Sequence, residues 1–171
     1  MGIKVNVSEQ EQRSGDREPL PAGKYHMAIT DVQMSSPADG DNVGRPMLVF
    51  EFTVQDSPDT QVPGRESKEF VNRKDFVNAC LWEGALYTIV GILKALGEYE
   101  NSLDSGGDLD VPTEPEFYLT RELYVRRAVN RKQKERFPDI PDYWIQAQGY
   151  SPYKQTASTG ATRQQSDSLL P

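Results

Sequence analysis

In "PMLVFEFTVQD", Leu48, Phe50, Phe52 and Val54 fall on one side of the chain, and Glu51, Thr53 and Gln55 fall on the other. A period of two is the signature of an extended strand with one buried face. Four large apolar side chains in a row need a cover. This stretch therefore commits the chain to a sheet wrapped over that face, with Phe50 and Phe52 in the core.

Other segments supply the rest of the sheet. In "LPAGKYHMAITDVQM", Tyr25, Met27 and Ile29 alternate, and Val32 and Met34 then continue in the opposite phase. The flip predicts a bulge, which bends a strand sharply. "SSPADGDNVG" is a loop rich in turn formers, and "RESKEFVN" is expected to form a short third strand. "NACLWEGALYTIVGILKALGEY" carries Trp82, Leu86, Ile89, Leu93 and Leu96 at steps of four and three. That spacing predicts a helix with Asn78 as N-cap, Gly97 as its stop and Trp82 in the core. Gly84 and Gly91 weaken the helix intrinsically, and close packing against a sheet is the expected reason for both. "ELYVRRAV" and "YWIQAQGY" read as strands four and five.

Three strands, a helix and two more strands is the order of the OB-fold. The fold class is thus mainly β: a five-stranded OB-fold barrel with one α-helix between strands 3 and 4. Residues 1–20 read as a flexible polar arm, 21–153 as the barrel domain, and 154–171 as a disordered low-complexity tail. A hydrophobic content of 36% in 171 residues fits one modest core with extended loops. Cys80 stands alone, which excludes an intrachain disulfide and a Cys-based zinc site. "MGIKVNVSEQEQ" has no apolar leader, and Asn6 stands where a myristoylation pattern wants Ser or Thr. The chain reads as soluble and cytoplasmic.

The net charge of −7 argues against indiscriminate coating of nucleic acid. The charge is segregated, however. Arg121 to Arg136 holds seven Lys/Arg against two Asp/Glu, a local +5 that leaves the remaining residues at −12. Glu98 to Glu116 holds seven carboxylates and no Lys or Arg. Single strands are bound by cations that track phosphates and by aromatic faces that stack on bases. On strand 4, Leu123 and Val125 should point inward, which puts Tyr124 and Arg126 outside together. Arg127 has core-facing parity near the strand end. Trp144 is expected outside strand 5, and Arg131, Lys132, Lys134 and Arg136 form the basic loop between the two strands. Arg65, Lys68, Arg73 and Lys74 make a second cluster around strand 3. Phe70, Tyr150 and Tyr153 read as packing residues.

"LPAGKYHMAITDV", "GRPMLVFEFTVQD", "GRESKEFVN", "LWEGALYTIVGILKALG" and "IQAQGYSPY" occur in this order. Over roughly residues 20–153 the chain resembles a bacteriophage family of OB-fold proteins associated with single-stranded-DNA binding, often described as a domain of unknown function. Gly44-Arg45-Pro46-Met47, Gly64-Arg65 and Gly149-Tyr150 are the most specific pieces. The resemblance implies a role in phage DNA replication or recombination in the infected bacterial cell. Two features depart from the pattern: the long basic loop "NRKQKERFPDIPD" and an extra "RKDFVNAC" before the helix.

No enzymatic motif accompanies these features. His26 is the sole histidine and lies within a strand between Tyr25 and Met27, where a surface or hydrogen-bonded role fits better than that of a base. "DSGGDLDVP" lacks the EF-hand frame, so no metal and no cofactor is expected. The end, "SDSLLP", resembles the partner-recruiting tips of bacterial single-stranded-DNA-binding proteins, with Asp167, Leu169, Leu170 and Pro171 as the tip. Replication or recombination proteins of phage or host are the partners it implies. The competing reading is an OB-fold protein-interaction module that contacts phage or host proteins without nucleic acid.

Overall fold

The computed structural model describes residues 19–130, Glu135 and residues 145–153. Five strands form one antiparallel sheet: β1 (Gly23–Ser35), β2 (Met47–Val54), β3 (Lys74–Cys80), β4 (Glu122–Val129) and β5 (Ile145–Pro152). Their order is β3-β2-β1-β4-β5, so the long β1 is central and β3 and β5 are the edges. Among the described residues no ladder joins β3 to β5. Two α-helices among the described residues lie between β3 and β4, where one is expected: α1 (Tyr87–Ala95) and the four-residue α2 (Pro115–Tyr118), whose Tyr118 is buried. No helix among the described residues is long and apolar enough to cross a membrane.

The alternation in β2 acts as expected. Leu48, Phe50, Phe52 and Val54 are fully buried, joined by Tyr25, Met27, Ile29 and Val32 of β1 and by Leu123 and Val125 of β4. The phase flip in β1 is a bulge: the register against β2 shifts between Ile29 and Asp31. Thr30, at the shift, bonds the Thr53 hydroxyl at 2.8 Å. Leu20, which the sequence puts in the arm, is part of the core.

Two boundaries differ from expectation. "RESKEFVN" is not a strand; Ser67–Phe70 is a 3-10 turn whose Phe70 is buried, and Arg65 pairs with Glu69 one turn on. The third strand is Lys74–Cys80, the segment read from sequence as an insertion. The helix also starts later. Asn78 belongs to β3, and Gly84 sits at φ +86°, a backbone state that ends the apolar stripe's continuity before Tyr87. Gly84 is therefore a turn glycine with open space around it, not a packing site. Trp82, expected in the core, is half-buried, with the Arg45 guanidinium 5.6 Å from its ring centroid.

Ile89, Ile92 and Leu93 of α1 are fully buried. Gly91 is where the helix meets β5: a Cβ there would lie 3.1 Å from Tyr150 Cδ2. Gly97 stops the helix at φ +72°. Its amide donates to the Lys94 carbonyl and that of Glu98 to the Leu93 carbonyl, which satisfies two orphan acceptors of the last turn.

Candidate nucleic-acid interface

Strand pairing decides which of the expected site residues come together. On the outer face of β4, Tyr124 lies opposite His26 of β1, and Arg126 lies opposite Lys24. Tyr124 does face outward, but it is only 5% exposed. The Lys24 ammonium sits 3.9 Å above its ring, and Tyr153 meets it edge-on at 5.2 Å. The stacking face expected of Tyr124 is thus covered. The covering residues come from the far ends of the chain, beyond the reach of strand parity.

His26 is buried beneath this layer. Its ring stacks on Tyr153 at 3.7 Å and 4°, and Nε2 lies 3.0 Å from Glu122 Oε1. Burial pulls its pKa below the ordinary 6.5, against the opposing pull of Glu122. His26 is a packed and hydrogen-bonded residue.

Arg127, whose parity points inward, stays inside. Its Nε lies 3.1 Å from Asp75 Oδ2 on β3. Its two terminal nitrogens donate to the Ile145 carbonyl at 2.5 Å and to the Leu20 carbonyl. Burial pushes the Asp75 carboxyl above its ordinary value, while Arg127 and the Phe76 amide pull the other way.

Arg126 remains exposed and lies over Gly149, where an added Cβ would meet its Nε at 3.4 Å. The second expected cluster is divided. Arg65 shares a groove with Arg126, whereas Lys68 pairs with Glu66 at 3.0 Å. Lys74 forms an ion pair with Glu51 across the β2–β3 ladder. Arg73 lies just before β3, where its carbonyl accepts from the Val54 amide at 2.8 Å. Arg131, Lys132, Lys134, Arg136 and Trp144 lie outside the described residues, as do Asp167, Leu169, Leu170 and Pro171.

One aromatic was missed in the sequence. Phe76 stands on the outer face of β3 and is 65% exposed. Lys74 and Asn78 flank it on the same face, and Glu51 is directly opposite. The inner face of the same strand carries Asp75, Val77 and Ala79. The strand's apolar pattern is thus inverted at Asp75 and Phe76, and an exposed Phe beside a buried Asp was the available signal.

The groove that holds Arg65 and Arg126 has a volume of about 690 Å³ and is also lined by Lys24, Thr60, Val62 and Pro63. The acidic segment after α1 is tied to itself: Asp104 Oδ1 accepts from the amides of Gly106 and Asp108. Among the described residues no cluster of His, Cys, Asp or Glu is arranged to hold a metal ion.

No family model and no curated protein matches this chain.

Proposed function

We propose that this chain is a non-catalytic single-stranded-DNA-binding protein built on an OB-type barrel, weakly selective for sequence. The observation that carries the reading is Phe76, a large aromatic ring left in water on the outer face of β3 beside Lys74. An OB-fold binds oligonucleotides over the face of its second and third strands. A sheet with β1 at its centre, β2 and β4 on either side and the helix between β3 and β4 has the order such a barrel needs. Contacts across the gap between the edges support curling of the sheet: Asp75 of β3 meets Arg127 of β4, and Tyr150 of β5 lies 6.1 Å from Phe52 of β2. Arg127 is buried against Asp75 and Arg121 pairs with Glu98, so the charge for phosphates comes from Arg126 together with Arg131, Lys132, Lys134 and Arg136 of the same run. The phage setting, and the role in replication or recombination, rest on the resemblance of residues 20–153.

Fluorescence anisotropy with labelled oligo-dT at two salt concentrations tests the reading. Binding should weaken as salt rises. Phe76→Ala should cost about 1–3 kcal/mol, the value of one base stack, with an unchanged salt slope. No binding at low salt would replace this reading with the protein-interaction module.

A further inference from the structure

Two cations stand directly opposite each other on the ladder between β1 and β4: Lys24 and Arg126. Directly opposed side chains in antiparallel strands have their Cβ atoms about 4.5–5.5 Å apart, and like charges there destabilise the sheet. Arg65, which is ion-paired to Glu69 at 2.7 Å, lines the same groove from the segment joining β2 to β3. Among the described residues that line the groove there is no carboxylate. The repulsion between Lys24 and Arg126 is of the kind that an anion placed between them would relieve.

The groove is also built rather than accidental. Lys24 and Gln61 exchange two backbone hydrogen bonds, at 2.9 and 2.7 Å, which clamp the β2–β3 connection onto the start of β1. Gly23 permits this approach, because a Cβ there would lie 2.7 Å from the Gln61 carbonyl oxygen. The wall so formed carries Ala22, Val62 and Pro63, an apolar surface within a cationic rim. A volume of about 690 Å³ lies within the roughly 300–1,000 Å³ usual for sites of small organic ligands.

We infer that this groove is a nucleotide subsite for the bound strand, in which Lys24 and Arg126 take backbone phosphate and the Val62–Pro63 wall takes a sugar or base. The inference rests on the single-strand reading but uses a different surface from the outer face of β2 and β3. An anion with a flat apolar part satisfies both the rim and the wall. An acidic peptide would satisfy the rim alone.

The experiment compares the full chain with Lys24→Ala/Arg126→Ala and with Phe76→Ala, using labelled oligo-dT over a salt series and unlabelled dTMP or poly-Glu as competitors. The double variant should bind oligo-dT at least about tenfold more weakly, as expected for lost bonds to charged groups. Its log–log salt slope should flatten by roughly 0.7 for each cation removed. In the parent, dTMP should shift the backbone amide signals of Lys24, Gln61 and Arg126, and the double variant should lose the shift at Gln61 with a thermal midpoint no lower than the parent's. If the double variant keeps the parent's affinity and slope while Phe76→Ala loses binding, the groove is not a subsite and the single-strand reading stands. Displacement by poly-Glu but not by dTMP overturns the nucleotide assignment. If oligo-dT does not bind the parent at all, both proposals fall together.

Discussion

Arg127 of β4 and Asp75 of β3 form a buried ion pair at 3.1 Å between strands that share no ladder. The guanidinium's two terminal nitrogens donate to carbonyls, those of Leu20 and Ile145. One side chain therefore ties the start of the core, the edge strand β3 and the entry to β5 together. The pair also explains why a strand with an inward Asp exists at all.

Breaking the pair should be expensive. Asp75→Asn leaves the Arg127 charge buried and uncompensated, at a cost of about 3–5 kcal/mol. The double change Asp75→Leu/Arg127→Met removes both charges and should be milder than Asp75→Leu and Arg127→Met summed. Urea unfolding of these variants gives the comparison, and strictly additive costs would mean that the two side chains do not depend on each other.

The core of β2 gives a second expectation. Phe50 is fully buried, 5.8 Å from the Phe52 ring and edge-on to Tyr118 at 5.0 Å. Phe50→Ala should cost about 3–5 kcal/mol. A loss under ~1 kcal/mol by urea unfolding would contradict the burial of this face.

Gly91 provides a test of how α1 seats on the sheet. A Cβ at this position approaches Tyr150 to 3.1 Å. Gly91→Val should therefore destabilise by about 1–3 kcal/mol through overpacking. Gly91→Val/Tyr150→Ala should recover part of that loss relative to Tyr150→Ala alone. The thermal midpoints of the four proteins report the coupling.

His26 sets a pH dependence whose sign follows from its burial. Its pKa in the folded chain lies below the ordinary 6.5, so the unfolded chain takes up the proton first. The stability that this group contributes is present above 6.5 and is lost as pH falls from there through the folded value. Urea midpoints should thus decline between about pH 7 and pH 5, and His26→Gln should flatten that decline. An imidazole that titrates above 6.5 by NMR would reverse the sign.

How far the sequence could be read depended on whether the deciding partner was local. The β2 face and the bulge in β1 were legible because periodicity alone sets them. Gly97 was legible because a helix stop is a one-residue device. Strand β3 was misread because its inward Asp75 is explained only by Arg127, 52 positions away in the chain. The helix start was placed too early because Trp82 and Leu86 extend the apolar stripe while Gly84 breaks the backbone. At the candidate site, Arg126 was found by parity. Its opposite, Lys24, and the cover over Tyr124 depend on the β1–β4 register and on the end of β5, which no local pattern reports.

The last expectation separates phosphate contacts from base contacts. Arg126, Arg131, Lys132, Lys134 and Arg136 supply five positive charges within eleven positions of the chain. If each neutralises one phosphate, at roughly −0.7 per contact, they contribute about −3 to −4 to the log–log salt slope. Arg131→Ala/Lys132→Ala/Lys134→Ala should flatten the slope by about two units and weaken binding to all sequences alike. Trp144→Ala should act differently: the slope stays nearly fixed and about 1–3 kcal/mol is lost, as for a stacked base. Covered as it is, Tyr124 should reach binding indirectly, through the seating of Lys24, so that Tyr124→Phe binds as the parent does. Anisotropy titrations with oligo-dT over a salt series measure all three. If the triple variant keeps both the slope and the affinity of the parent, the basic run is a solvated face, and any salt dependence must come from cations elsewhere, with Lys24, Arg65 and Arg126 the first to test.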